Sequence, residues 1–262
     1  SSSSSSSSSS TAQEAERSEE PKRPTLLLFL GDSLVSGVGA QLEGSDPQAA
    51  ALPRNVAAKL SHCVDGQVCW ASVGITGADV EQLREEGLPR LREKVEAYKA
   101  QAGTVVVVLV VGVNDLRKVQ LSTYRSKLRH LVSDLRYIMC KEKAVDAVVL
   151  PALRIGDAPL LQRFPLNCFA APLCSLWEKE KSKAIRWLSD SHVLPFPHPP
   201  QGDEEKARAL FCPDGMHPSS HGYEWWADSL AQQIHNLLSE REARRLAAVE
   251  EVVDVSLGMM PL

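Results

Sequence analysis

A serine hydroxyl and a histidine with a nearby aspartate are the residues of this chain best suited to covalent chemistry. Ser33 follows an apolar run and the dipeptide Gly31-Asp32, and Asp214 precedes His217 by three residues. At that spacing the carboxylate can accept the Nδ1 proton of the imidazole, which leaves Nε2 free to take a serine proton. The three side chains therefore predict nucleophilic attack on an acyl group, with Ser33 as nucleophile and His217 as general base.

Two alternatives to this interpretation remain open. Gly-Asp-Ser is ordinary turn chemistry, and in that interpretation Asp32 and Ser33 only begin a turn and cap a helix. His221 is a second candidate base, one helical turn after His217, although no aspartate precedes it at the same offset.

An acyl-transfer site also needs hydrogen-bond donors for the oxyanion. The turn Gly74-Ile-Thr-Gly77 follows a predicted strand, and glycine permits backbone conformations that point an N–H group toward a ligand. Asn114 follows the most apolar run of the chain and can donate from its side-chain amide. The backbone N–H of Ser33 is a third candidate donor.

Strand-like and helix-like patterns alternate along the chain and would position these residues. The predicted strands are Thr25 to Leu30, Gln67 to Ser72, Thr104 to Val111, Ala147 to Leu150 and His192 to Pro195. The predicted helices are Arg54 to Ser61, Val80 to Leu91, Leu121 to Met139, Ser175 to Ser189 and Glu224 to Leu238. The alternation predicts an α/β fold, a three-layer αβα sandwich with right-handed crossovers, which brings the polar turns to one rim of a parallel sheet.

The ends of the chain differ in composition from its middle. Residues 1–24 are a serine homopolymer followed by a charged run, which buries too little apolar surface to fold and predicts a disordered tail. Residues 25–240 form the predicted single domain. Residues 241–262 are a charged helical extension or tail in which we identify no chemistry.

Composition limits the classes of partner. With a formal net charge of -4 and no basic stripe, the chain gives nucleic acid no electrostatic footing, so a small-molecule substrate is favoured. No apolar run approaches the roughly 20 residues that span a bilayer. A cytoplasmic or organellar soluble protein is favoured, but the chain begins at Ser1, so an upstream targeting segment stays open.

Cysteine spacing predicts no metal site. The 6 cysteines form no C-x-x-C pair and have no histidine at zinc-finger spacing. Free buried thiols are favoured over disulfides, because a core of this size does not need them. The oligomeric state is not predicted.

Four short stretches together resemble the signature blocks of the SGNH, or GDSL-type, hydrolases. They are Gly31-Asp-Ser-Leu34, Gly74-Ile-Thr-Gly77, Gly112-Val-Asn-Asp115 and Asp214-Gly-Met-His217, and they occur in the family's order over residues 25–238. The resemblance implies a five-stranded parallel sheet of flavodoxin-like order, hydrolysis of a small ester or lipid, and no cofactor.

The resemblance also implies a role for each matching residue. Ser33, His217 and Asp214 would form the catalytic triad, and Gly77 and Asn114 would complete the oxyanion hole with the Ser33 amide. Two segments, Val35 to Gly39 and Arg163-Phe-Pro165, are most similar to the bacterial esterase and lipase branch. By its own composition, Arg154 to Pro172 forms either an apolar pocket wall or a structural loop. The predicted substrate contacts are Asp32, Gly74 and Phe164.

Three other classes of protein are alternatives to this interpretation. A catalytically silent binding module of the same fold remains the alternative. A nucleotide binder would use Gly37 and Gly39, but Leu42 stands where a third glycine is required and no Gly-Lys-Ser/Thr follows. The α/β-hydrolase fold is disfavoured because the chain has no Gly-x-Ser-x-Gly elbow.

Overall fold

In the described part of the chain, five parallel strands form one sheet. They are β1 (Thr25–Gly31), β2 (Val68–Gly74), β3 (Thr104–Val110), β4 (Ala147–Pro151) and β5 (Ser191–Leu194). Their spatial order is β2-β1-β3-β4-β5, and every neighbouring pair runs parallel. The order changes direction between β1 and β3, and ligands of open α/β sheets bind at such a point. The predicted sheet is confirmed.

Our computed structural model describes residues 23–40, 50–64, 66–98, 102–118, 120–142, 145–188, 190–198 and 203–258. Residues 1–22 of the predicted tail and residues 41–49 lie outside the described residues.

Helices cover both faces of the sheet, which confirms the three-layer prediction. They are α1 (Ser33–Ser36), α2 (Ala51–Ser61), α3 (Val80–Gln82), α4 (Leu88–Tyr98), α5 (Leu121–Glu142), α6 (Asn167–Ile185), α7 (Glu204–Ala209) and α8 (Ser220–Gly258). A π-helical turn, Leu83–Gly87, joins α3 to α4, and 3-10 turns span Asn114–Lys118 and Ile155–Asp157. Helices α2 and α8 pack on one face, and α3 to α6 pack on the other.

Alternate side chains of β1 enter two separate hydrophobic cores. Leu28 and Leu30 pack into the core beneath α4 and α5, whereas Leu27 and Phe29 pack into the core beneath α2 and α8. All four side chains are fully buried. Each contributes about 1.5–3 kcal/mol of hydrophobic free energy, so an unbroken apolar run is required where both faces are covered.

Several helices differ from the sequence predictions, α6 and α7 among them. Helix α6 begins at Asn167 rather than Ser175 and contains Pro172. Pro172 lacks the N–H that would bond the Cys168 carbonyl, so α6 loses one backbone hydrogen bond at that residue. Helix α7 is absent from the predicted helices, and Asp203 caps it by accepting from the Lys206 N–H at 3.0 Å.

Helix α8 runs unbroken across the predicted domain boundary at residue 240. Just beyond that boundary, Arg241 lies 3.5 Å from the Asp146 carboxylate and 3.2 Å from the Asp190 carboxylate. These aspartates precede β4 and β5, so the helix is joined to the amino end of the sheet. The division of the chain at residue 240 stays a prediction.

Asp115, in the turn after β3, fixes the start of α3. Its buried carboxylate accepts from the Val80 N–H at 3.2 Å. Burial, together with the nearby Asp79 carboxylate, raises the pKa of Asp115 to about 6, although the Val80 N–H acts in the opposite direction.

Replacing Asp115 with asparagine should make the free energy of unfolding less dependent on pH. A carboxyl whose pKa is 3.8 unfolded and about 6 folded stabilises the protein at low pH, and this contribution is lost as the pH rises through 6. Asparagine keeps an oxygen for the Val80 N–H and does not titrate. Between pH 4 and 7.5, wild type should lose on the order of 2 kcal/mol relative to the variant. Urea denaturation across this range measures the difference, and parallel curves would contradict it.

Candidate active site

Ser33 begins helix α1 at the carboxyl end of β1. The Asp32 side chain caps the helix by accepting from the Leu34 N–H at 3.0 Å. Gly31 allows the helix to turn back against the sheet, because a Cβ there would lie 2.5 Å from the Val110 carbonyl oxygen. Ser33 is 8% exposed. Its hydroxyl is therefore held at the rim rather than in solvent.

Asp214 and His217 lie on a short loop between α7 and α8, which we call the histidine loop (residues 211–218). Phe211 and Pro218 pair as an antiparallel bridge at its base. Asp214 Oδ1 accepts from the His217 N–H at 3.0 Å, so the aspartate closes a local turn as well as facing the imidazole.

The His217 imidazole contacts the other two side chains. Its Nδ1 lies 2.6 Å from Asp214 Oδ2, and its Nε2 lies 3.2 Å from Ser33 Oγ. Desolvation opposes ionisation of Asp214, but hydrogen bonds from the imidazole and from the Met216 and His217 N–H groups outweigh it and lower the pKa of Asp214. The carboxylate is thus ionised at neutral pH, and the imidazole can accept the serine proton. His221, the alternative base, is exposed in the first turn of α8.

The turn after α1, which contains Gly39, contacts the histidine loop. Gly39 has a φ of 106°, and a Cβ there would lie 2.3 Å from the Pro218 carbonyl oxygen and 3.1 Å from His217 Cβ. Tyr223 of α8, fully buried, donates its hydroxyl to the Val38 carbonyl at 2.7 Å. These contacts set the separation between the turn after α1 and the histidine loop.

Asn114 lies at the carboxyl end of β3, on the same rim as Ser33. Its Nδ2 is 3.0 Å from Asp32 Oδ2 and 3.0 Å from the Ala78 carbonyl oxygen. Its Oδ1 accepts a hydrogen bond from Arg117. Both amide N–H groups therefore have protein acceptors.

The two glycines of the second predicted block have different surroundings. Gly77 has a φ of 81°, and a Cβ there would meet nothing within 4 Å, so it borders open space. With Asn114 it lines a cavity of about 490 Å³. Gly74 packs against α1 instead, since a Cβ there would lie 2.4 Å from Ser36 Oγ. Glycine is needed at this position for packing, and a substrate contact by Gly74 stays a prediction.

The other predicted substrate contacts, Asp32 and Phe164, differ in solvent exposure. Asp32 is 1% exposed, and its two oxygens accept from protein donors. Burial raises the pKa of Asp32 to about 6, against the effects of the Leu34 N–H and His217. Phe164 is 84% exposed. Residues 154–172, which include Phe164, contact the histidine loop through a hydrogen bond. The Leu160 N–H donates to the Gly215 carbonyl at 3.0 Å.

A larger cavity of about 710 Å³ lies on the other side of the histidine loop. Its apolar lining consists of Phe196, Leu210, Phe211, Pro218, Trp225 and Trp226. The predicted pocket wall, residues 154–172, contributes Asp157, Pro159, Gln162 and Arg163. Phe164 and the triad side chains are not among its lining residues.

Three residues around the site were not assigned from the sequence. Ala78 and Arg117 bind the Asn114 amide, and Tyr223 joins α8 to the turn after α1. Arg117 follows Asn114 by three residues in a polar turn, and that spacing was the available signal. Tyr223 belongs to an apolar helical pattern, which indicates only a core residue.

The described residues contain neither a cluster of metal ligands nor a membrane-spanning helix. Within the described ranges, no group of three or more His, Cys, Asp or Glu side chains could hold a metal ion. None of the helices in that part of the chain combines the length and apolarity that a membrane crossing requires.

The sheet order and the turns on its rim define an α/β fold of the SGNH hydrolase type. Residues 29–225 match the GDSL-like Lipase/Acylhydrolase family, and the chain belongs to this family. Family membership supports a hydrolase that acts on esters. Comparison with curated proteins finds no match.

Solved structures share the fold at low sequence identity. A lipase/acylhydrolase from Enterococcus faecalis is 18% identical, with a TM-score of 0.54, over 81% of this chain and 96% of that one. An acetylxylan esterase from Geobacillus stearothermophilus is 18% identical, with a TM-score of 0.52, over 82% and 94%. A psychrotrophic esterase from Pseudoalteromonas is 17% identical, with a TM-score of 0.54, over 82% and 98%.

Replacing Tyr223 with phenylalanine should lower the free energy of unfolding by about 1 kcal/mol, because the Val38 carbonyl loses its donor. The matched control is Tyr98→Phe at a partly exposed site, which should change stability by less than about 0.5 kcal/mol. Urea denaturation measures both values. Equal effects of the two substitutions would contradict the importance of this hydrogen bond.

Proposed function

We propose that this protein hydrolyses carboxylic esters through an acyl-enzyme on Ser33. The observation that carries the proposal is the hydrogen-bonded series from Asp214 to His217 to Ser33, with separations of 2.6 and 3.2 Å. A hydroxyl, an imidazole and an ionised carboxylate in this order are the groups that acyl transfer requires.

In the acylation half, Ser33 Oγ attacks the ester carbonyl carbon while His217 Nε2 takes the hydroxyl proton. The carbonyl oxygen becomes an oxyanion. The bond to the alcohol oxygen then breaks as His217 returns the proton to that oxygen, and the alcohol leaves. The acyl group remains on Ser33, and Asp214 stabilises the imidazolium that forms between the two proton transfers.

In the deacylation half, water replaces the alcohol. His217 takes a proton from the water, and the resulting hydroxide attacks the acyl carbon. The bond to Ser33 Oγ breaks, the proton passes from His217 to that oxygen, and the carboxylic acid leaves. Water is the only co-substrate, and the chain's own residues carry every proton.

The proposed oxyanion donors are the Ser33 N–H, the Gly77 N–H and the Asn114 amide. Two features support this set. Gly77 and Asn114 line the same 490 Å³ cavity, and the space beside Gly77 is open. Donors arranged around a developing charge are typically the largest single contribution to such a reaction.

Replacing Ser33 with alanine should abolish turnover of p-nitrophenyl acetate and labelling by a fluorophosphonate, because both require the Ser33 oxygen. The matched control is Ser61→Ala, at an exposed serine on α2, which should keep both. Turnover by the Ser33 variant would remove this residue from the mechanism. Absence of turnover and labelling in wild type would instead favour the silent binding module.

We expect the acyl group to extend from the oxyanion hole into the 490 Å³ cavity, since Gly77 and Asn114 border both. The other lining residues of this cavity are Asp79, Glu81, Gln82, Glu85, Arg117 and Lys118. A long aliphatic chain would remove these charged and polar groups from water and offer them no hydrogen bond in return. A short acyl group is therefore favoured.

Activity over p-nitrophenyl esters of rising acyl length should fall from acetate and butyrate to decanoate. We expect kcat/KM to fall roughly tenfold or more, equivalent to about 1.4 kcal/mol in the barrier. Steady-state kinetics below the solubility limit of each ester measures the trend. A rise with chain length would exclude the polar cavity as the acyl site.

A further inference from the structure

The Asn114 side-chain amide is held at both ends by protein groups. Its oxygen accepts from Arg117, and its nitrogen donates to Asp32 and to the Ala78 carbonyl, each at 3.0 Å. Rotating the amide by half a turn would place its oxygen against a carboxylate and a carbonyl, and its nitrogen against a guanidinium. The orientation is therefore fixed by its partners.

The Asp32 carboxylate divides its two oxygens between two tasks. Oδ1 accepts from the Leu34 N–H at 3.0 Å and so caps the helix that begins with Ser33. Oδ2 accepts from Asn114 Nδ2 across a separation of 82 residues in the sequence. At 1% exposure, no side of the carboxylate is open to substrate.

We propose that Asp32 is a positioning residue that holds the Asn114 amide in the oxyanion hole, rather than a residue that contacts substrate. This inference rests on the proposed ester hydrolysis. It assigns to one buried carboxylate the alignment of the nucleophile's helix and of an oxyanion donor in the turn after the neighbouring strand.

The two acceptors of the Asn114 amide differ in strength. The bond to the Asp32 carboxylate is charge-assisted, whereas the Ala78 carbonyl is a neutral acceptor. Ala78 directly follows Gly77, beside the open cavity. The Ala78 carbonyl is therefore the acceptor that an oxyanion would replace at Asn114 Nδ2, and the N–H that faces Asp32 keeps its partner.

The test is the variant Asp32→Asn. Asparagine keeps an oxygen for the Leu34 N–H and nearly the same shape, but it turns an NH2 group toward the NH2 group of Asn114. We expect kcat to fall by about 10²–10³, the typical effect of losing one oxyanion donor, with KM changed by less than about twofold.

A double-mutant cycle separates positioning from a purely structural role. Asn114→Ala should lower kcat by about 10²–10³, and adding Asp32→Asn to it should lower kcat by less than about threefold more. If Asp32 acted only as a helix cap, the two effects would multiply. Multiplying effects, or wild-type kcat in the Asp32→Asn protein, would overturn the proposal.

Two further variants keep the test interpretable. Asp32→Ser retains a capping oxygen for the Leu34 N–H and removes the second oxygen that accepts from Asn114, and it should show the same loss of kcat if Asp32→Asn fails to fold. Asp203→Asn makes the same chemical change at the cap of α7 and should leave kcat unchanged.

Fluorophosphonate labelling of Ser33 distinguishes this proposal from the function on which it rests. Labelled, active wild type together with an unimpaired Asp32→Asn protein would overturn the positioning role alone. Wild type that neither labels nor turns over any ester of the series would overturn the proposed function, and the positioning role with it.

Discussion

The site depends on a close contact between two backbones that are far apart in the sequence. Gly39 approaches Pro218 and His217 so closely that any side chain at position 39 would collide with the histidine loop. The contact brings together a hydroxyl and an imidazole that are 184 residues apart. Tyr223, bonded to Val38, holds the other side of the same junction. Without this approach, His217 and Asp214 would still pair locally, but the imidazole would not reach Ser33.

The sheet order explains why the remaining groups collect at the same place. Strands β1 and β3 are neighbours, so the turns that follow them bring Asp32 and Asn114 within hydrogen-bond distance. Strand β2, on the other side of β1, ends in the turn that carries Gly77 and Ala78. Parallel pairing alone therefore brings these turns, which are far apart in the sequence, to the same rim of the sheet.

The fold was predictable because its signals are local. Apolar runs such as Val105 to Val111 and helical periodicity each report one element, and alternation of the elements limits the topology. The Asp214 and His217 pair was equally accessible, since three residues separate them. The partners of Asn114 were not, because Asp32, Ala78 and Arg117 meet it only after the strands have paired. Pro172 inside α6 escaped prediction for a related reason, because proline normally breaks a helix and tertiary packing overrides that local preference.

In the proposed mechanism, the pairing of Asn114 with the Ala78 carbonyl has a consequence for how binding and turnover are divided. A donor that already bonds a neutral carbonyl gains little by exchanging it for the neutral carbonyl of an incoming ester. The exchange becomes favourable only as negative charge develops on that oxygen. The resting partner thereby cancels ground-state affinity and leaves stabilisation of the transition state, which raises turnover without tightening the binding of unreacted substrate.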